Sequence, residues 1–414
     1  MAVQPFSFRR VAVPVFAPSL LFGLGEGAIL PAVPLAVRDL GGSVSMAALM
    51  VTLLGIGALA SNLPASLITV RFGERRAIVG ASIWCALGML LCLAAPGIAS
   101  FAAGILMVGM ASAVFGLARL SYLAEAVPAS LRARAMSTLG GVLRIGLFAG
   151  PFAAAAVMHW AGLAGAWWVG IVALLAAALL AARLADLPGD AATPTARAGT
   201  ADAGPTLRSI AGAHRKVFVT LGSCVVAISA VRAARQAIIP LWALHIGLDA
   251  AGAALVYGLS NAVDMLIFYP AGKLMDTKGR RWVAVPCMAI MGAALLAMAF
   301  TTSATPFLVA ALAVGFGNGL GSGIVMTLGA DHSPAQGRAH FLAVWRLLSD
   351  IGGTAGPALL SAVTALFALA VGVAATGALA WVGAAMLGYW IPRARRGEDL
   401  PSAFVPRQPR SPPP

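Results

Sequence analysis

The chain is short of charge. Asp, Glu, Lys and Arg make up 10% of its 414 residues, and 60% are hydrophobic. Soluble domains carry about 25% charged residues. A water-soluble fold has nowhere to hide this much apolar surface, so a polytopic membrane protein is the class that remains. Residues 77–118, 282–330 and 351–392 hold no charged side chain at all. Each run is too long for one span of roughly 20 residues. Pro96-Gly97, Ser303 to Pro306 and a weaker boundary near 368–372 divide them, so each reads as a helical hairpin with a very short connection.

Acidic residues are scarcer than basic ones, 14 against 28, leaving a net charge of +14. The basic residues punctuate apolar helices instead of lining one surface, which argues against nucleic acid. The four cysteines (Cys85, Cys92, Cys224, Cys287) all sit in apolar runs without CxxC spacing, the pattern of buried inert thiols. The five histidines (His159, His214, His245, His332, His340) scatter over helix ends and loops. Metal-ligand spacing, a phosphate-binding loop and a catalytic triad are all missing. The chain is therefore expected to be no enzyme and to take no metal or cofactor. Without a nucleotide motif, an ion gradient is the expected energy source. The first apolar run follows Arg9 and Arg10, is about 27 residues long and lacks a small-residue cleavage site, so it reads as a retained helix.

What is present is a duplication. Pro128, Arg132, Gly146, Gly150 and Pro151 recur as Pro334, Arg338, Gly352, Gly356 and Pro357, each 206 residues on (334 − 128 = 206). Pro34, Gly41, Gly73 and Gly109 recur as Pro240, Gly247, Gly279 and Gly315 at the same offset. Two tandem halves follow. Expected spans are 11–37, 44–70, 77–95, 101–124, 136–158 and 166–185, then 217–244, 250–275, 282–301, 306–330, 339–366 and 371–391. The expected organisation is a six-helix bundle over 1–185, a polar linker over 186–216, a second bundle over 217–392 and a disordered tail over 393–414. Of the 28 Lys and Arg, only Arg38 falls in an outer loop, five lie within helices and 22 lie on the opposite side. Both termini are therefore expected in the cytoplasm, with the chain in the cell inner membrane.

Twelve helices in two such halves resemble the major facilitator superfamily of secondary transporters. The turn Gly272-Lys-Leu-Met-Asp276-Thr-Lys-Gly279-Arg280-Arg281 looks like that family's signature loop. Its first-half counterpart keeps Gly73, Arg75 and Arg76 but has Val70 where the family has Asp. Gly146-x-x-x-Gly150-Pro151 is similar to the family's fifth-helix motif, often associated with exporters, and Gly352-x-x-x-Gly356-Pro357 repeats it. The resemblance implies an all-α fold of two pseudo-symmetric bundles that rock about a central site, with the turn residues gating at the cytoplasmic rim. On physical grounds the turns need glycine. The small-xxx-small motifs let helices approach closely, so packing is their expected role ahead of substrate contact.

Eight charges stand out deep within the expected spans, where each costs about 2.5–3.5 kcal/mol unless it faces a cavity or a partner. Glu26, Asp264 and Asp350 are the candidate proton carriers. Arg119, Arg144, Arg232, Arg235 and Arg346 are the candidates for binding substrate or tuning those carboxylates. Glu26 and Arg232 occupy equivalent positions in the repeat, as do Arg144 and Asp350, so each pair could meet across the axis. The competing pairs are Glu26 with Arg119, Asp264 with Arg232 or Arg235, and Arg346 with Asp350. Five permanent cations against three carboxylates favour an anionic or zwitterionic substrate. An amphipathic drug walled by Trp242, Met265, Phe268, Tyr269 and Trp345 is the alternative. The expected function is a proton-coupled exporter of small organic molecules, working as a monomer by alternating access. The alternatives are an uptake symporter for an anionic metabolite and, remotely, a non-transporting receptor or scaffold.

Overall fold

A computed structural model describes residues 8–127, 129–184, 207–334 and 336–395. All regular structure in these residues is helical. The first half comprises α1 (Phe8–Ile29), α2 (Ala32–Asp39), α3 (Val44–Phe72), α4 (Glu74–Leu93), α5 (Ile98–Ala126), α6 (Ala129–Ala161) and α7 (Ala164–Ala181). A short α8 (Leu207–Ala213) follows. The second half comprises α9 (Arg215–His245), α10 (Ala250–Lys278), α11 (Arg281–Met298), α12 (Ala304–Leu320), α13 (Ile324–His332), α14 (Arg338–Leu366) and α15 (Leu369–Arg395). The expected linker thus carries a helical turn at its end. Its residues 186–206, and 396–414 of the expected tail, lie outside the described residues.

The 206-residue offset is written into the helix ends. Val44 and Phe72 bound α3, and Ala250 and Lys278 bound α10 (250 − 44 = 206; 278 − 72 = 206). Their caps correspond too. Ser43 Oγ accepts from the Met46 amide at 3.1 Å, and Asp249 Oδ1 accepts from the Gly252 amide at 2.9 Å. Both satisfy an orphan donor of a helix start. The turns that end α3 and α10 place Gly73 at φ +81° and Gly279 at φ +94°, where side-chain-bearing residues are strained.

Two expected single helices are broken. The first, 11–37, divides into α1 and α2 because Pro31 has no N–H to continue the ladder. The tenth, 306–330, divides into α12 and α13 at Gly321-Ser322-Gly323, with Gly323 at φ +85°. Among the described residues, eleven helical spans are long and apolar enough to cross a membrane, α1–α2 and α12–α13 each counting as one. The expected span 339–366 does form a helix, α14, but it is not among them. Arg338, Arg346 and Asp350 interrupt its apolar face, so its place in the bundle comes from packing rather than hydropathy.

In the first half α1 lies against α6 and α7, α4 against α5 and α7, and α3 against α5. In the second, α9 lies against α14 and α15, α11 against α12 and α15, and α10 against α12. The GxxxG residues make these approaches possible. A Cβ at Gly150 would lie 2.5 Å from the Ala28 nitrogen, and one at Gly356 would lie 2.6 Å from the Ala230 carbonyl carbon. Backbone cannot rotate aside, so no side chain fits there.

The halves meet through α3 with α14 and through α6 with α10. Their contacts cluster toward the end that carries the Gly41 and Gly247 turns. There Ser361 Oγ donates to the Ser45 carbonyl at 2.8 Å. Ala254 of α10 joins Ala28, Ala32, Ala154 and Met158 in one buried cluster. Toward the Gly73 and Gly279 end, Leu67 and Val70 of α3 and Leu266 and Tyr269 of α10 are exposed.

Candidate functional site

A cavity of about 310 Å³ lies between the halves. Its lining is mostly aliphatic: Ile29, Leu30, Leu54, Val108 and Leu147. Glu26 of α1, Ser112 of α5 and Gln236 of α9 add the polar groups. Glu26 reaches it because α1 and α6 touch at Gly23, Gly27, Gly146 and Gly150, which leaves space on the face toward α5. The Ser112 hydroxyl is hydrogen-bonded to Glu26 Oε1 and lies 3.0 Å from the Val108 carbonyl. Glu26 is the one ionisable residue of this lining.

Arg119 sits two turns along α5 from Ser112. It is within electrostatic reach of Glu26 but forms no ion pair with it among the described residues. Its guanidinium lies over the Phe115 ring, 5.9 Å from the centroid. Its Nε and Nη1 are buried without a hydrogen-bond partner.

The second half holds a polar network. Arg235 Nη2 donates to Asn261 Oδ1 at 3.1 Å and bridges Asp264 Oδ2 at 3.3 Å. Asn318 Nδ2 donates to the same Asp264 oxygen at 2.5 Å. Tyr257 is buried in the same helix, one turn before Asn261. The Arg235 and Asp264 side chains are only 9% and 19% exposed, so each needs the other in a medium that screens charge poorly. Arg232 Nη2 donates to the Asn318 carbonyl at 3.4 Å, and Arg232 also reaches the Cys287 sulfur.

Arg144, from the first half, crosses to the second. Its Nη1 donates to Ser322 Oγ at 3.0 Å, and its guanidinium stacks 4.5 Å from the Phe268 ring centroid. Arg346 pairs instead with Asp350 one turn on, at 3.0 Å, with Arg346 largely exposed. The pairings across the axis are therefore corrected. Glu26 meets Ser112 rather than Arg232, and Arg144 meets Ser322 and Phe268 rather than Asp350. Glu26 and Arg232 each turn into their own bundle, whereas Arg144 crosses to the other, and the first two find partners at equivalent positions. Glu26 with Ser112 maps onto Arg232 with Asn318 at the constant offset.

Trp242 and Trp345 do not line the cavity beside Glu26. Both are buried, with Nε1 donating to Thr301 Oγ1 at 2.8 Å and to the Val325 carbonyl at 2.7 Å. Met265, Phe268 and Tyr269 stay exposed.

At the Gly279 turn, Arg280 grips Asp331 of α13 with two bonds, Nε to Oδ2 at 2.7 Å and Nη2 to Oδ1 at 3.1 Å. That fork holds the Arg280 guanidinium still more firmly protonated than usual. Asp276, Arg281 and Arg76 are exposed, and Gly272 has open space around its Cα. At the Gly73 turn, Arg75 Nη1 donates to the Leu184 carbonyl at 3.1 Å, a helix-terminal acceptor beyond α7. Val70 is exposed. Its neighbour in the turn, Glu74, is buried and accepts from Ser121 Oγ at 2.9 Å.

Ser112, Gln236, Tyr257, Asn261, Asn318 and Ser322 escape a reading based on charge, because an uncharged polar residue hardly disturbs an apolar run. One signal could have found two of them, since Ser112 and Asn318 are repeat equivalents.

Among solved structures, a bacterial homolog of the human lysosomal transporter Spinster, in an inward-facing and unoccupied conformation, aligns with TM-score 0.75 at 15% identity, covering 97% of this chain and 100% of that one. A D-xylose–proton symporter aligns with TM-score 0.74 at 14% identity over 93% and 98% of the two chains. A POT family transporter aligns with TM-score 0.75 at 11% identity over 93% and 96%. No curated protein matches the sequence. At these identities the likeness establishes the fold. The family profile of the Major Facilitator Superfamily matches residues 15–357, most of the length. With the duplicated bundles and the cavity between them, this makes the chain a multi-pass membrane transporter of the Major Facilitator Superfamily.

Proposed function

We propose that the chain is a proton-coupled exporter of small organic molecules, with Glu26 as its proton carrier. The observation that supports this is the position of Glu26, the one ionisable group lining a mostly aliphatic cavity between the halves. Such a carboxylate can take up and release one proton, and alternating access presents it to each side in turn. The Ser112 hydroxyl has a single proton and two acceptors in reach, Glu26 and the Val108 carbonyl. Ionised Glu26 accepts the hydrogen bond from that hydroxyl. Protonated Glu26 donates to Ser112, which then turns to Val108. Both protonation states keep their hydrogen bonds, as a carrier requires. Asp264 and Asp350 are committed to Arg235 and Arg346, which makes them the weaker candidates.

Export is supported by the likeness of Gly146-x-x-x-Gly150-Pro151 to the exporters' motif. On the 22-to-1 distribution of basic residues the termini and the Gly73 and Gly279 turns are cytoplasmic, the membrane is the cell inner membrane, and the conformation described is open inward. Residues 1–185 and 217–392 are the two moving bodies, and a monomer suffices.

Everted vesicles or proteoliposomes with an imposed pH gradient test the proposal against a mixed panel of anions and drugs. Glu26→Gln, a permanent mimic of the protonated form, is expected to abolish gradient-driven flux while counterflow exchange persists. Uphill transport by Glu26→Gln at the wild-type rate would refute the assignment.

A further inference from the structure

We propose that the second half carries an anion-binding subsite between Arg144 and Arg232, and that the transported molecule is an amphipathic organic anion. This rests on the reading of the chain as a transporter with its site between the halves, and it names the substrate class of that site.

Three guanidiniums, Arg144, Arg232 and Arg235, surround a single carboxylate, Asp264. Arg235 takes Asp264 by a direct bridge, and Asn318 takes the same oxygen. Arg144 lies within electrostatic reach of both Asp264 and Arg232. Neither Arg144 nor Arg232 forms an ion pair among the described residues. The group therefore carries two positive charges beyond what Asp264 offsets. Membrane-buried arginines stay protonated, and an unmatched pair at this depth is costly unless something anionic answers it.

The geometry locates where that anion sits. Arg144 and Arg232 flank the same two residues. Arg144 donates to Ser322 Oγ, and a Cβ at Gly321 would lie 2.6 Å from Arg232 Nη2. Gly321 and Ser322 form the break between α12 and α13, so the start of the nine-residue α13 adds its positive end to the same spot. Arg144 is exposed, open to a ligand. Arg232 keeps a buried Nε with no partner, and Arg235, nine-tenths buried, keeps an unpartnered Nη1. Donors without acceptors thus remain on two of the three arginines. Asp264 Oδ2 already holds its place against Arg235 and Asn318, so an incoming acid group meets Arg144 and Arg232.

The rest of the molecule follows from α6. Arg144 and Leu147 are three residues apart, neighbours on one helix face. Leu147 lines the aliphatic cavity with Ile29, Leu30, Leu54 and Val108. An acid group at Arg144 therefore directs an apolar body into the cavity, toward Glu26. A carboxylate, sulfonate or phosphate ester fits the guanidiniums, and a planar or branched hydrocarbon fits the aliphatic walls. A purely cationic ligand would meet net positive charge at the entrance.

The test measures equilibrium binding to the full-length protein in nanodiscs, with no gradient, so its failure is separable from a failure of proton coupling. Naphthalene-2-sulfonate, 2-naphthoate and 2-naphthylmethylammonium share one hydrocarbon and differ in charge and acid type. The two anions are expected to bind saturably and the cation at least tenfold more weakly. Arg144→Gln should weaken both anions at least tenfold, about 1.4 kcal/mol, and Arg144→Lys should restore part of that. Ser322→Ala, which leaves every charge in place, should cost no more than a few-fold. No saturable binding of either anion to the wild type would overturn the proposal. So would a preference for the cation, or unchanged anion affinity in a folded Arg144→Gln.

Discussion

Gly352 and Gly353 are neighbours on α14, yet alanine at each should act in opposite senses. A Cβ at Gly352 would lie 2.9 Å from both the Val226 Cα and the Ser229 Cβ on α9, closer than packed carbons come. A Cβ at Gly353 would meet nothing within 4 Å. Alanine gains about 0.5–1 kcal/mol over glycine inside a helix, and that gain is common to both variants. Only Gly352→Ala pushes α14 from α9, and overpacking of this kind costs about 1–3 kcal/mol. The two variants should therefore differ by about 1–3 kcal/mol, with Gly353→Ala at or above the wild type. Thermal unfolding in detergent, followed by the intrinsic fluorescence of the nine tryptophans, reads this as a lower Tm for Gly352→Ala. In a membrane no hydrophobic force draws helices together, so close approach is what α9 and α14 have to lose. Equal Tm values for the two variants, or a higher one for Gly352→Ala, would refute the packing role assigned to the motif.

The fork between Arg280 and Asp331 is solvent-accessible, so Asp331→Asn should change stability by less than about 1 kcal/mol. It should slow the transport cycle while leaving equilibrium substrate binding within a few-fold, and a large loss of binding would contradict a gating role. His214 packs edge-on to Phe341 at 5.4 Å with its Nδ1 buried, and burial holds its pKa below the usual histidine value. A lowered histidine pKa makes the unfolded chain the better proton acceptor. Stability is then full above the unfolded pKa and is lost as pH falls through the window down to the folded one. His214→Gln should flatten thermal stability between about pH 7 and pH 5, and an unchanged pH profile would rule this contribution out.

The duplication made most of the fold legible. One offset connects Val44 with Ala250, Ser43 with Asp249, Gly73 with Gly279 and Gly150 with Gly356, and in each case the local physics matches as well as the position. Where the halves diverge, the sequence misled. Pro31 has no equivalent in α9, and Gly321 to Gly323 has none in α5, so only one member of each helix pair is broken. Polar α14 is a span by its neighbours and not by its hydropathy. The site was legible in its charges but not in its wiring. Side-chain direction depends on where each helix turns its face, and that follows from glycine contacts such as Gly146 on Leu24. Symmetry alone therefore paired Glu26 with Arg232, whereas each found its partner on the neighbouring helix of its own half.

The closed end of the molecule is held by small groups. Where α3 meets α14, Ser361 donates one hydrogen bond to Ser45, and where α6 meets α10, the methyl groups of Ala28, Ala32, Ala154 and Ala254 pack together. None of the ion pairs among the described residues lies there. A hydrogen bond of this kind contributes about 0.5–1.5 kcal/mol net, and one pH unit across a membrane is worth about 1.4 kcal/mol per proton. On the proton-coupled reading proposed above, the latch and the gradient are matched in scale: a single proton moving down one pH unit would release about as much energy as the Ser45–Ser361 bond contributes.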